Sequence, residues 1–240
     1  MKYINDLRSR YFKALSAFYA YEGMRENVAI NLLGETEAQA NAETMGRYKD
    51  FFVPAQEALR VYFFIELSKL FDASNEALHI TKVVNFTESN IKRLNVDAFK
   101  EHNSAQTREF LELLATEYKG VAHSDLTEIR DNLNAHRESL EKLKTYRDEW
   151  LAHDDIHKSE LPNITGEEIR ALFEVLAKIL NSLTGKLNSE STMWDHVERD
   201  VKHHTKLVIE YLRRFEPYRI KEIHAEAEER LKRYQAGEIA

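Results

Sequence analysis

The chain has 240 residues and a formal net charge of −7 at pH 7, so a nucleic-acid partner would require a local basic patch. It contains no cysteine, which excludes disulfides, thiolate metal ligands and a cysteine nucleophile. Only 7 glycines and 3 prolines interrupt a sequence rich in helix-forming residues, and this composition predicts an all-α protein built of long helices.

No segment of the sequence indicates export or membrane insertion. The first residues, MKYINDLRSRYF, lack the apolar core of a signal peptide. The strongest apolar run, 61–65, is much shorter than the roughly 20 residues that a membrane-spanning helix needs. We therefore expect a cytoplasmic protein with no membrane partner.

Apolar residues at helical spacing predict the helices of the N-terminal half. The first should cover 4–33, ending at Gly34, and the second should cover 35–71, with Pro54 starting, kinking or dividing it. A turn-rich segment and one or two short helices should follow. The half should then end in a helix over 99–118 that stops before the next glycine.

The C-terminal half is predicted to contain further long helical segments, joined by polar connections. Their expected limits are Ser124 or Asp125 to about His153, Thr165 to Gly185, and Trp194 to Tyr234, the last being one helix or a pair divided at Pro217. The order predicts an up-and-down bundle of long antiparallel helices over 1–190 and a helical C-terminal extension over 191–240.

The predicted helix that begins near Leu126 carries an arginine on its apolar stripe. The stripe residues recur at steps of three and four: Leu126, Ile129, Leu133, His136, Leu140, Leu143, Arg147 and Trp150. At about 100° per residue, Arg147 lies within about 20° of Leu140, on the face that meets other helices. A guanidinium there needs a partner, because burying it alone is costly. It either forms a salt bridge with a facing carboxylate, snorkels to the bundle end, or binds an anion such as phosphate.

The same helix repeats one arginine–histidine spacing. Arg130–His136 and Arg147–His153 both have five intervening residues, but Arg130 faces about 100° away from the stripe, which favours the second pair. His153 lies about 120° around the helix from Arg147 and about 9 Å along it. The two side chains therefore meet only if the helix frays or a second copy of the chain completes the site.

Histidine at this position has two interpretations. It is suited to move protons near neutral pH, with Asp148, Asp154 or Asp155 orienting its ring. Taken alone, the residue is better explained as an ordinary helix-capping side chain with no chemical role. Periodicity does not separate the two.

The segment YRDEWLAHDD, with Arg147 and His153, resembles the Arg-polar-x4-His signature of HEPN domains (higher eukaryotes and prokaryotes nucleotide-binding). The upstream segment ELSKLFDASNEALHITKVV is similar to the branch of that superfamily associated with phage abortive infection and toxin–antitoxin systems. The resemblance covers about 60–183. It implies an up-and-down helical bundle that forms a homodimer.

The activity implied by the resemblance is cleavage of RNA in a cleft lined by both protomers, with no metal or cofactor. Arg147 would bind the scissile phosphate, and His153 would move the proton of the attacking 2′-hydroxyl or of the leaving group. Asp148 would tune the geometry, with Asp154 and Trp150 in support. The implied partners are RNA, a second copy of the chain and, in a toxin–antitoxin system, an antitoxin protein.

Other functions stay open. A non-catalytic HEPN-like module would use the same cleft to bind nucleotide, RNA or a partner protein, and two aspartates beside the histidine are unfavourable for a phosphate backbone. A metal-dependent bundle enzyme would use the imidazoles and carboxylates of 153–157. Some HEPN toxins carry a tyrosine two residues after the histidine, where a partner enzyme attaches nucleotides; Asp155 stands there instead, so that control is not implied.

Other residue patterns carry weaker signals. Glu76 and His79 have the Glu-x-x-His spacing of di-iron bundles, but the second such pattern, Asp200 to His203, has the wrong carboxylate. The last helix carries a near-heptad that predicts packing or dimer contact, formed by Trp194, Val197, Val201, His204, Val208, Tyr211 and Phe215. Four basic residues make that helix locally basic, which predicts a solvated face or a patch for RNA: Lys202, Lys206, Arg213 and Arg214.

Overall fold

A computed structural model describes residues 2–72, 77–151 and 162–238, with the side chain of Trp150 outside the description. Over these residues the regular structure is helical, and they include no strand. The predicted all-α fold class is therefore confirmed.

Helices of very different length make up the described N-terminal half. They are α1 Lys2–Glu26, α2 Ile30–Leu33, α3 Glu35–Arg47, α4 Lys49–Phe71, α5 Ile80–Ser89, α6 Val96–His102 and α7 Arg108–Glu117. The described remainder contains α8 His123–Ala135, α9 Arg137–Thr145, a π-helical turn Tyr146–Leu151, α10 Gly166–Asn188 and α11 Asp195–Gln235.

The prediction of one first helix over 4–33 is wrong, because α1 ends at Glu26. The side-chain amide of Asn27 donates to the carbonyl oxygen of Gly23 at 2.7 Å. The carbonyl oxygen of Asn27 accepts from the side chain of Asn41 at 2.9 Å, whereas a continuing helix would pair it with its own backbone. A side chain distant in sequence therefore stabilises the break.

The expected helix over 35–71 is divided, but at Tyr48 rather than at Pro54. Pro54 lies in the second turn of α4, where its missing amide removes one helical hydrogen bond, and the helix continues through it. The predicted helix over 99–118 is likewise divided, into α6 and α7. Pro217 lies inside α11, which is one uninterrupted helix.

The predicted starts of α8 and α10 have different outcomes. Thr165 caps α10 as predicted, because its hydroxyl accepts from the amide of Glu168 at 3.1 Å while Glu168 accepts from the amide of Thr165 at 2.8 Å. Helix α8 begins earlier than predicted, after Ala122. Asp125 lies in the first turn of α8, where its carboxylate accepts a hydrogen bond from the backbone amide of Ala122 at 2.8 Å.

The chain forms two compact units. The first unit comprises Met1–Phe18 and Leu59–Glu198, and the second comprises Tyr19–Ala58 and Arg199–Ala240. The predicted boundary between residues 190 and 191 stays a prediction.

Aromatic side chains form the centre of the first unit. Tyr11 of α1 donates its hydroxyl to the carbonyl oxygen of Phe173 at 3.0 Å, and its ring packs edge-on against Trp194. Phe18 packs against Phe63 of α4 and Phe173 of α10, with ring centroids 5.3 and 5.2 Å away. These contacts join α1, α4 and α10 in one helical bundle.

Ion pairs align α8 and α9 with α10 in antiparallel directions. Near the start of α8, Asp125 accepts from Lys186 at 2.9 Å. Near the end of α9, Lys142 donates to Glu168 at 2.8 Å. Along α10 the two partners come in the opposite order, with Glu168 near its start and Lys186 near its end. The ion pair between Lys142 and Glu168 holds the end of α9, which leads into the π-helical turn.

The second unit has its own small core. Met45, Phe52 and Ile209 are buried together. Helices α1 and α11 approach closely there, because a Cβ atom added to Gly23 would lie 3.3 Å from the side chain of Thr205.

Candidate active site

The stripe that sequence periodicity predicts is only partly buried. Leu126, Ile129 and Leu143 are at most 3% exposed. Leu133 and His136 are half-buried, next to the point where α8 ends at Ala135 and α9 begins at Arg137. The stripe thus continues across a helix break that the spacing alone does not predict.

Arg147 lies in the π-helical turn and is held by two carboxylates of its own chain. Its Nε donates to Asp148 at 2.6 Å and its Nη1 donates to Asp72, just after α4, at 2.8 Å. The side chain is 15% exposed. The hydrogen bond to Asp148, followed by the one to Asp72, raises the pKa of the guanidinium, so Arg147 keeps its charge at every relevant pH.

The predicted salt bridge with a facing carboxylate is therefore present, and the guanidinium also has N–H donors that these carboxylates do not use. An arginine has five N–H donors, of which Asp148 and Asp72 take two. Nη2 makes no hydrogen bond within the described part of the chain. Arg147 is thus fixed in orientation on one edge while the other edge keeps its capacity to bind an anion.

The residue before Arg147 anchors the turn to α4. Tyr146 is 7% exposed, and its ring packs against Phe64 at a centroid distance of 4.6 Å. Its hydroxyl accepts a hydrogen bond from Nη1 of Arg60. π-Helical turns occur often at functional sites, where the extra residue redirects a side chain. Packing of Tyr146 fixes the direction in which Arg147 points.

A cleft of about 200 Å³ opens beside Arg147, between the end of α4 and helix α9. Its lining includes aromatic and charged side chains: Phe71, Asp72, Arg137, Glu141, Lys144 and Arg147. Arg137 donates to Glu141 at 2.9 Å on the outer rim. Pockets that enclose drug-sized ligands are usually about 300–1,000 Å³. This cleft is smaller, on the scale of a group such as a phosphodiester.

The first arginine–histidine pair is engaged elsewhere. Arg130 binds both carboxylate oxygens of Glu88 of α5, at 3.1 and 2.7 Å, and also donates to Asn85. Nδ1 of His136 lies 3.0 Å from the carbonyl oxygen of Asn132, one turn earlier. This pair ties α8 to α5, and it lines no part of the cleft beside Arg147.

Several predicted site residues fall outside the described part of the chain. These are His153, Asp154, Asp155 and His157, and the side chain of Trp150 is also outside it. Of the proposed catalytic set, the structure therefore brings together Arg147 and Asp148. The catalytic roles of Arg147, Asp148, His153 and the supporting residues all stay predictions.

The weaker patterns have structural explanations where they are described. His79 caps α5, because its Nδ1 accepts from the amide of Lys82 at 3.2 Å; Glu76 lies outside the description. The described residues include no group of three His, Asp or Glu side chains placed to hold a metal ion. His204 is exposed, which corrects its expected place in a core.

The near-heptad of α11 does not form a core along its second half. Val208, Tyr211 and Phe215 are about half exposed, whereas Ile209, one position further along, is fully buried. Packing within the chain therefore involves Ile209, which lies against Met45 of α3, and dimer contact through the exposed residues stays a prediction.

Three of the four side chains in the basic run of α11 lie near carboxylates of the second unit, and Arg213 bonds to a neutral amide. Lys202 lies 2.7 Å from Glu26, and Lys206 lies 3.4 Å from Glu37. Arg213 donates to Asn41 and Arg214 lies near Glu210, so the predicted solvated charged face describes this run better than an open patch for RNA.

Sequence reasoning missed three residues that build the site. Asp72, which pairs with Arg147, and Arg60, which pairs with Tyr146, both belong to the α4 region. Asp72 directly follows the apolar pair Leu70 and Phe71, so a carboxylate at the end of an apolar helix was the available signal. Lys144, three residues before Arg147 and therefore on the same helical side, was also recognisable by spacing.

Comparison with protein families identifies one match. The family model HEPN_AbiU2, described as AbiU2, matches residues 2–208. No curated protein and no solved structure matches the chain. Among the described helices, none combines the length and apolar character of a bilayer-spanning segment.

Proposed function

The chain belongs to the AbiU2 family of HEPN domains, of the abortive-infection type, and on this premise we propose that it is a metal-independent endoribonuclease. In this proposal Arg147 binds the scissile phosphate and His153 transfers the proton, in a cleft that two copies of the chain complete. Its setting is the cytoplasm, its substrate is RNA, and an antitoxin protein is its partner where the system has one.

The observation that carries the proposal is the state of Arg147. Two carboxylates fix Nε and Nη1, while Nη2 has no acceptor within the described residues. A guanidinium that is already oriented loses little side-chain freedom when it binds phosphate. It can then stabilise the charge that develops on the phosphate oxygens in the transition state.

The reaction is an attack of the ribose 2′-hydroxyl on the adjacent phosphorus. The new bond joins the 2′-oxygen to phosphorus, and the bond from phosphorus to the 5′-oxygen of the next nucleotide breaks. One proton leaves the 2′-hydroxyl and one protonates the leaving 5′-oxygen, both within the competence of a histidine near neutral pH. The products have a 2′,3′-cyclic phosphate and a 5′-hydroxyl, and the oxidation state of phosphorus does not change.

The test is cleavage of bulk and transfer RNA by the purified protein in excess EDTA. Wild type should cut and leave cyclic phosphate ends, while Arg147→Ala and His153→Ala should lose at least about 100-fold in rate, the usual scale for a positioned proton donor or a charge-stabilising group. Equal cleavage by wild type and His153→Ala would remove the histidine from the mechanism.

The chain contains its own matched controls. Arg130→Ala and His136→Ala change a pair with identical spacing on the preceding helix, where the arginine is engaged with Glu88. Both variants should keep wild-type cleavage. Circular dichroism of all four variants would establish that a loss of rate is not a loss of folding.

One observation favours a second candidate, a non-catalytic module that binds nucleotide, RNA or a protein. Asp72 and Asp148 already neutralise Arg147 inside one protomer, as in a structural ion pair. If this candidate holds, the wild type would cut no RNA in EDTA or in added metal, yet would bind a partner through the Arg147 cleft. Cleavage that appears only with metal would instead indicate a metal-dependent enzyme using 153–157.

A further inference from the structure

The cleft beside Arg147 brings three cationic side chains to one small opening. Arg137 and Lys144 come from α9 and Arg147 from the turn that follows, and Asp72 and Glu141 supply the two carboxylates of the lining. Asp148 also binds Arg147 from beside the cleft, so among the described residues three cations meet three carboxylates. An anion site here therefore depends on which of the three cations is left without an internal partner.

The three cations are not equally available. Arg147 is hydrogen-bonded to Asp72 and Asp148, and Arg137 is paired with Glu141. Lys144 is exposed, and its ammonium group forms no ion pair or hydrogen bond within the described part of the chain. Lys144 is thus the cation that the cleft offers to a ligand without first breaking an internal contact.

Spacing relates Lys144 to Arg147. Residues three apart on a helix lie on the same side, with Cβ atoms about 5–6 Å apart. Two cations at that separation can each bind a different phosphate when successive nucleotides cross the helix end.

We propose that this cleft binds the phosphate neighbouring the scissile one in single-stranded RNA, with Lys144 as its cationic ligand. The proposal rests on the proposed function in one respect, namely that Arg147 takes the scissile phosphate. It adds a second contact point on α9, three residues before Arg147.

The apolar part of the lining favours a single strand. Phe71 is half-buried at the cleft, and aromatic rings are the usual platforms on which unstacked bases lie. The bases of a duplex are stacked on one another and do not reach such a ring. At about 200 Å³ the cleft accepts a sugar–phosphate unit and leaves the base at its rim.

The experiment measures binding apart from cleavage. The probe is a fluorescein-labelled ten-nucleotide oligouridylate with 2′-O-methyl groups, which lacks the attacking hydroxyl, and its affinity is measured by fluorescence anisotropy across a salt series. Loss of one phosphate contact to a single strand lowers the slope of log affinity against log salt by about 0.7. Lys144→Gln should show that change, with affinity at low salt several-fold weaker.

Two further variants make the test specific. Asp72→Asn removes a negative charge from the lining but keeps an acceptor for Arg147, so the probe should bind several-fold more tightly. Lys178→Gln changes an exposed lysine of α10 that does not line the cleft, and it should leave both affinity and slope unchanged.

The outcomes separate this inference from the proposed function. If Lys144→Gln and Lys178→Gln bind the probe alike, the subsite is refuted, even when Arg147→Ala abolishes cleavage. If the probe binds in a Lys144-dependent way but no RNA is ever cut, the cleft is a binding site for single-stranded RNA at Lys144 and the ribonuclease activity is refuted. Lys144 is exposed, so a folding failure of its variant is not expected, and circular dichroism checks it.

Discussion

Glu168 connects the helix that leads to the candidate site with the start of α10, and neutralising it tests that connection. Its carboxylate accepts from Lys142 at 2.8 Å, from the backbone amide of Thr165 at 2.8 Å and from Ser139 at 3.3 Å. The first two bonds hold the pKa of Glu168 at about 2, well below its usual value of 4.5, with Lys142 the larger cause. The variant Glu168→Gln keeps the side-chain shape and removes the charge.

The stability effect follows from that pKa. At about 1.4 kcal/mol per pKa unit, the fall from 4.5 to about 2 corresponds to a ceiling of about 3 kcal/mol. The side chain is 24% exposed, so solvent screening reduces the contribution, and we expect about 1–1.5 kcal/mol. Glutamine still accepts from the Thr165 amide, because a capping box tolerates either residue.

The pH dependence gives the sign of the effect. A carboxylate with a lowered pKa stabilises the folded state above the unfolded value of 4.5, and this contribution is lost as the pH falls towards 2. Wild type should therefore exceed Glu168→Gln in free energy of unfolding at pH 6, and the difference should disappear by about pH 2.

Urea unfolding followed by tryptophan fluorescence is the assay, because Trp150 and Trp194 both belong to the first unit. Glu167→Gln is the control, since its side chain is exposed in the same helical turn. Glu167→Gln should lower the free energy of unfolding by less than Glu168→Gln does. An equal loss in the two variants, or a Glu168→Gln difference that is the same at pH 6 and pH 2.5, would refute this account.

Three further predictions concern other contacts. Arg130→Ala breaks the bidentate pair with Glu88 on a partly exposed surface, so the melting temperature should hardly change and RNA cleavage should persist. Tyr11→Phe deletes a buried hydroxyl bond to α10, and about 1 kcal/mol of stability should be lost, measured by urea unfolding. Gly23→Val places a branched side chain against Thr205, and overpacking should cost about 1–3 kcal/mol, measured as a lower thermal midpoint in circular dichroism at 222 nm. A stable Gly23→Val protein would contradict the close approach of α1 and α11.

Helix type was predictable from the sequence, but most helix ends were not. The start of α10 at Thr165 was predictable, whereas the cap predicted for α8 at Ser124 or Asp125 was wrong, because that helix begins after Ala122. The break after α1 depends on Asn41, a residue of α3 that supplies a hydrogen bond to Asn27. Such long-range partners leave no local pattern, so propensity and periodicity predicted one continuous helix there.

At the candidate site, too, features set by neighbouring residues were predictable, and contacts with residues distant in sequence were not. Helical spacing identified Arg147 as a stripe residue and set it apart from Arg130. It could not identify Asp72 as the partner, because α5 to α9 intervene in sequence between the two residues. Nor could it predict the π-helical turn, which depends on Tyr146 packing against Phe64 of α4.

The two carboxylates that hold Arg147 also have a consequence for selectivity. Because Asp72 and Asp148 offset its charge, a single phosphate gains little by binding there, and the chain's net charge of −7 adds no attraction. A strand that places a second phosphate on Lys144 gains a second contact without a second association step. Uridine monophosphate should therefore compete poorly with the oligouridylate probe, even at concentrations that saturate a simple phosphate site. If uridine monophosphate displaces the probe as well as unlabelled oligouridylate does at equal phosphate concentration, then Arg147 binds one phosphate alone and Lys144 adds no second contact.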